Sequence, residues 1–505
     1  REVYRLLLDI SNEIEPSWVN VTIPNGGEDF EPEFYQSILW TSEHYNGTVR
    51  IEYSNENGLH QIVDSTNNDG EFEWLVPVDI SDNVLILITL LENENINDMS
   101  DDYFSISEAG WFIDISDPYP DIADCALNNF EEPILIAHNW TFFEDLIFFK
   151  EYSVKGQEKF SWNVVEDSSW DPLTPFSLSL SAGEGSGFFY VAYQGIDQIG
   201  CTLSKYTVTG QLLWSKTWGE LMGPVNVMYA GNNVCLVGSW RGEVDFDPDV
   251  DSVDYRSSVD NSIDSCLIFI SSNGDYIDTK TWGGESSDYA LSLISMADGV
   301  IYVAGEFSSL NADFDPGINE DIRSTNGLSD VYLIQFEDQG SFSWVNTWGS
   351  AFSDKLTDLI YATEVGVVCT GAVADIADFD PGPDTDNKGQ INSSSSFVSV
   401  FDENGVYSWS HVWFIDLALC VENYEQWIYL SGEYFAGIDF DPTGGVDVPS
   451  GDGGSFLTRL NSQGNYDWTC VYDSPTTIDL ESDTGGHMYM LSLSSLGKVS
   501  SDGSW

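Results

Sequence analysis

Four copies of one tetrapeptide set pairs of carboxylates at a spacing that could hold a cation. They are Asp245-Phe246-Asp247-Pro248, Asp313-Phe314-Asp315-Pro316, Asp378-Phe379-Asp380-Pro381 and Asp439-Phe440-Asp441-Pro442. Successive copies lie 68, 65 and 61 residues apart. A further aspartate follows the second of each pair by six residues at Asp321, Asp386 and Asp447, and by seven at Asp254. In extended chain, alternate side chains share a face, so both aspartates of a copy point one way and the phenylalanine the other. Three carboxylates with loop carbonyls form a hard-oxygen set of the kind Ca²⁺ takes, which makes these twelve aspartates its candidate ligands. The same residues would equally serve as Asx turns closing on backbone amides, with no ion involved. The sequence leaves both readings open.

Other chemistry is sparse. Five histidines (His44, His60, His138, His411 and His487) are scattered, with no HExxH arrangement. No Gly-x-Ser-x-Gly elbow and no phosphate loop is present, so no residue is assigned a catalytic role. Paired carboxylates for glycoside hydrolysis are compatible with so acidic a chain, but no spacing selects a pair. Asn20, Asn46, Asn139 and Asn392 begin N-x-S/T sequons, acceptor sites only in an exported protein.

The chain carries 16 Lys and Arg against 84 Asp and Glu, a formal charge of −68 over 505 residues. Such a field repels nucleic acid and anionic lipid and gathers cations. With 42% hydrophobic and 14% aromatic residues the chain has ample material for packed cores, so the acidity belongs to its surface. The longest apolar run, Val84 to Leu91, is far short of the ~20 residues of a membrane-spanning helix. The chain begins at Arg1, without a visible leader, and reads as a processed or incomplete product. Seven cysteines fall inside apolar strand patterns without a CxxC, which points to buried free thiols.

The elements that must position these residues are strands. Period-two alternation dominates, with no sustained 3.6-residue period. Residues 17–108 contain Ile38–Thr41, Val49–Tyr53, Phe72–Val76 and Val84–Ile88 as strands, with a turn at Asn68-Asp69-Gly70. Beyond them a hairpin turn recurs at Gly156, Gly210, Gly274, Gly340, Gly405, Gly464 and Gly503, each preceded by two further apolar runs. Seven repeats of about four strands predict a seven-bladed β-propeller over 109–505, with the Asp-Phe-Asp-Pro loops inserted in blades three to six. Trp214, Trp344, Trp409 and Trp468 each stand four residues after a hairpin glycine and are expected to pack between blades.

Two resemblances support this all-β plan. The run Pro24-Asn25-Gly26-Gly27-Glu28, then Ile38-Leu39-Trp40-Thr41-Ser42, Val49 to Ser54 and the closing Ser100 to Ser107 resembles the Ig-like or fibronectin-like sandwich of secreted microbial surface proteins, related to the KNH-type cell-wall domain. His60 departs from it, standing where a Trp is common. Residues 122–505, with their Asp-Phe-Asp-Pro loops, are similar to the SBBP-type propeller repeats of bacterial and archaeal surface proteins. The resemblance implies an extracellular or cell-surface protein of structural or adhesive kind, such as a subunit of a filament or layer, with surface glycans as partners. The alternative is a propeller that binds or acts on carbohydrate.

Two joints remain. Val3 to Ile10, in the linker segment 1–16, is apolar enough for a strand, and either folds on its own sandwich or joins a neighbouring subunit, giving a homopolymer. The final hairpin stops at Trp505, short of an outer strand. Trp111-Phe112-Ile113-Asp114 repeats Trp413-Phe414-Ile415-Asp416, so residues 110–115 are expected to complete the last blade.

Overall fold

The structure, a computed structural model, describes residues 17–503 except for short stretches, the longest being 115–121 and 168–177. The strand expected at residues 3–10 lies outside the described residues. The chain divides into two compact units, residues 1–109 and 110–505. Both are all-β: among the described residues the one helical feature is a single turn, Val259–Asn261.

The first unit is a sandwich of two sheets. Its strands are β1 (Trp18–Ile23), β2 (Asp29–Phe30), β3 (Tyr35–Glu43), β4 (Thr48–Asn55), β5 (Gly58–Asn67), β6 (Glu71–Leu75), β7 (Ser81–Leu90), β8 (Asn97–Met99) and β9 (Phe104–Ile106). One sheet runs β1-β3-β6 and the other β2-β9-β7-β4-β5, with β8 also on β7. Alternation sets which face is buried: Val49, Ile51 and Tyr53 of β4 point inward, as do Val84, Ile86, Ile88 and Leu90 of β7. Each such side chain contributes about 1.5–3 kcal/mol through burial. The four strands read from sequence fall in β3, β4, β6 and β7, with Val76 just past the end of β6. The long strand β5 escaped that reading because its residues are mostly polar or half-buried.

The second unit holds seven four-stranded antiparallel sheets. In chain order their strands fall within 122–167, 178–218, 221–282, 288–348, 355–413, 419–472 and 477–499. The seventh takes its fourth strand from the start of the unit. There β10 (Trp111–Asp114) pairs antiparallel with Ser495–Val499, Trp111 opposite Lys498 and Asp114 opposite Ser495. Of the residues 110–115 expected to complete the last blade, 111–114 thus meet the first arm of the final hairpin, and 110 and 115 lie outside the described residues. The first strand of each sheet touches that of the next, and Thr477–Ser482 of the seventh touches Ile122–Leu127 of the first. This is the order of a seven-bladed propeller, and the sheets are called blades one to seven below.

The second and third strands of a blade are covered on both faces by neighbouring blades, so they are continuously apolar rather than alternating. Gly366–Val373 is buried throughout, and Ile301–Phe307 nearly so. The glycine that ends such a run has a steric cause. A β-carbon on Gly305 would collide with the carbonyl of Tyr289 and the ring of Tyr332. The hairpin tryptophans pack across blades, as expected. Trp214 donates to the carbonyl of Ser272 (3.2 Å) and Trp409 to that of Ser462 (3.1 Å), each in the following blade. Six of the seven cysteines are buried thiols, while Cys470 is partly exposed, and none forms a disulfide.

Candidate functional site

The Asp-Phe-Asp-Pro loops are built from the phenylalanine outward. Phe246, Phe314 and Phe379 are fully buried and Phe440 is 1% exposed, which anchors each loop to its blade. Short two-stranded stems carry the loops of blades three to five: 243–245 with 255–257, 312–313 with 322–323, and 377–378 with 387–388. The loop then clasps the preceding blade. Trp218 donates to the carbonyl of Phe246 (2.8 Å) and Trp413 to that of Phe440 (3.2 Å). Asp313 exchanges backbone hydrogen bonds with Gly283 at 3.0 and 3.1 Å.

Each of the three aspartates has its own bonding role. Oδ1 of the first aspartate accepts two backbone N–H groups across the loop. Asp313 takes those of Asp315 (3.1 Å) and Asp321 (3.0 Å), Asp378 those of Asp380 and Asp386. Asp245 takes those of Asp247 and Asp254, and Asp439 those of Asp441 and Asp447. Oδ1 of the second accepts the amide two residues on: Asp249 for Asp247, Gly317 for Asp315, Gly382 for Asp380 and Thr443 for Asp441. These are the Asx closures. They leave Oδ2 of the first two aspartates outside the loop's own bonds.

The third aspartate ties the loop to its blade's last strand. Tyr276 donates to Asp254 and Tyr407 to Asp386, both at 2.5 Å, and Tyr466 donates to Asp447. A cation two residues on joins three of the four: Arg256 with Asp254 (2.9 Å), Arg323 with Asp321 (2.7 Å) and Lys388 with Asp386 (2.5 Å). Against the opposing effect of burial, these partners hold Asp254 and Asp386 below the usual carboxylate range. In blade six Pro449 takes the cation's place. Among the described residues no cluster of three or more Asp, Glu, His and Cys is arranged as a metal site.

A second acidic feature escaped the sequence reading. Residues from the first strands of all seven blades line a cavity of about 370 Å³, among them Asp358, Glu422 and Asp479. The polar groups there reach across seams between blades. Asp358 accepts the amide of Val421 (2.9 Å), Asp479 that of Cys125 (2.9 Å) and Asn226 that of Leu293 (3.3 Å). Burial, with the charge of Asp479, raises Asp358 to about 7. Burial, with the charges of Asp358 and Asp479, raises Glu422 well above the usual carboxylate range. The signal was a lone acid within an apolar run, as in Leu356-Thr357-Asp358-Leu359-Ile360, and only the ring brings such acids together.

Of the sequon asparagines, Asn20, Asn46 and Asn392 are exposed. Asn139 lies in the strand Pro133–Trp140, and its side chain is outside the described residues.

No family model matches the chain, and no curated protein matches it. Solved structures do match. One titled "Crystal structure of the eukaryotic initiation factor" is 9% identical, covering 87% of this chain and 76% of that one at a TM-score of 0.31. That likeness is too slight to carry an argument.

Proposed function

We propose that this chain is an exported, non-enzymatic surface protein of structural or adhesive kind, which self-associates into an extracellular filament or layer. The observation that supports this reading is where its carboxylates go. In the loops they accept backbone amides and tie each loop to its own blade, and in the cavity Asp358 and Asp479 reach across seams to the next blade, so the acidic groups serve the scaffold. The remaining acidity is a solvated surface, and Ca²⁺ would offset part of the repulsion between subunits. Within the loops, Oδ2 of the first two aspartates offers the ligand pair. Blade six is the best Ca²⁺ site, because no Arg or Lys competes for Asp447. Purified protein examined by electron microscopy and sedimentation in millimolar Ca²⁺ tests the reading. Regular polymers support it, and a monomer at every concentration overturns it.

The carbohydrate reading keeps one supporting observation, the channel acids. A carboxyl pushed well above the usual range by burial and by the charges of Asp358 and Asp479, as at Glu422, is displaced in the direction a general acid needs. Hydrolysis of a glycan panel that is lost in Glu422→Gln would favour it. Turnover absent from wild type and variant alike would dismiss it.

A further inference from the structure

Among the described residues, two strand edges of the sandwich have no partner strand and flank one groove. β5 ends one sheet and β6 ends the other. Between them runs a groove lined by Tyr53, Trp74, Tyr35, Leu59 and Leu75 among others. Tyr53 and Trp74 are buried at 7% and 3% exposure, whereas Tyr35, Leu59 and Leu75 are 68%, 55% and 50% exposed. Its floor is therefore packed and its rim is apolar surface in water. An edge strand of ten residues beside such a rim is a template for strand addition unless something covers it.

We propose that this groove receives residues 3–10 of a second copy of the chain, added as a strand along the free edge of β5. The inference rests on the self-association reading and names its contact. In extended form Tyr4, Leu6, Leu8 and Ile10 fall on one face, a wholly apolar row, while Val3, Arg5, Leu7 and Asp9 fall on the other. Eight residues extend about 26 Å, within the length of a ten-residue strand. Charge does not oppose the docking. In residues 1–10 Arg1 and Arg5 balance Glu2 and Asp9, so the segment is neutral in a chain of net charge −68, and it would meet surroundings that carry exposed Asp64, Glu71 and Glu73. Main-chain hydrogen bonds to β5 would supply affinity, and the apolar row seated over Tyr53 and Trp74 would fix the register. A chain with a groove and a strand that fills its neighbour's groove propagates head to tail, which forms open filaments unless the rotation closes a ring.

Two variants of the whole protein separate donor from acceptor. Deletion of residues 1–12 leaves only a groove, and Leu59→Glu with Leu75→Glu leaves only a strand. Sedimentation velocity should show each alone as a monomer, with association weakened at least tenfold. Their mixture should give a one-to-one heterodimer and nothing longer. Matching melting curves establish that the groove variant is folded, and Tyr35→Glu on the same rim provides an independent copy of the test. If both groove variants polymerise like wild type while the deletion does not, the β5 groove is wrong but self-association stands. A wild type that never polymerises removes both readings. A deletion that lowers the melting temperature of a monomeric wild type assigns the segment to its own sandwich and overturns the proposal.

Discussion

In blade three the hydroxyl of Ser262 lies 2.7 Å from Oδ1 of Asp264, beside Asp288 of the next blade. The corresponding positions at the next seam are Leu328, Asp330 and Asp354. There Oδ1 of Asp330 is buried with no hydrogen-bond partner among the described residues. It crowds Gly349 from one side while Oδ2 of Asp354 crowds it from the other, each 2.6 Å from where a β-carbon would stand. Burial, reinforced by the Asp354 charge, raises Asp330 to about 6. A carboxyl raised in the folded state is best tolerated while protonated. The stability it allows is therefore full below its ordinary pKa of 3.8 and declines until the pH passes about 6. Asp330→Asn removes this titration and supplies a donor toward Asp354. Its melting temperature should match wild type near pH 4 and exceed it above pH 6.5, by the equivalent of about 1–2 kcal/mol. A constant difference across that range would count against the shared burial of the two acids.

A loop that is both clasp and candidate ion site yields two separable effects. Truncating Phe314, fully buried against Phe307 and Tyr332, should cost about 3–5 kcal/mol whether or not Ca²⁺ is present. Calcium acts by mass action on whichever loops bind it. Chelator should lower the melting temperature of wild type, and Asp439→Asn with Asp441→Asn should reduce the bound Ca²⁺ by one. Identical wild-type curves with and without chelator would leave the loops as purely structural clasps. The Asx closures at Asp313 and Asp439 need no ion, which is why spacing alone could not choose between the two readings.

At the scale of the molecule, the second unit depends on a pairing between its two ends, β10 with Ser495–Val499. Without β10 the last blade would have three strands and an open edge. Ile113→Pro removes a donor and disturbs the β10 backbone. It should destabilise the propeller by about 2–4 kcal/mol and leave the melting of the sandwich in place, as read by calorimetry. Equal propeller melting in variant and wild type would show that the ends do not hold the ring.

The all-β class and the seven-fold repeat were legible in the chain because both are local. Alternation and turn glycines set strands, and a Trp four residues after four of the seven hairpin glycines marks one place in those blades. The buried phenylalanine of each Asp-Phe-Asp-Pro loop followed from the same two-residue period. Even the closing strand could be read, since Trp111 to Asp114 repeats Trp413 to Asp416. What the tertiary structure decided depends on groups far apart in the chain. Asp358, Glu422 and Asp479 share a cavity only because seven first strands converge, and the raised pKa values of Asp358 and Glu422 follow from that proximity and burial. Oδ1 of Asp330 lacks a partner among the described residues because Leu328 stands where a neighbouring blade has Ser262, a difference that matters only once Asp354 lies beside it. The β5 groove was hidden for the same reason. Its polar strand looked like loop, and its apolar rim is assembled from strands of opposite sheets.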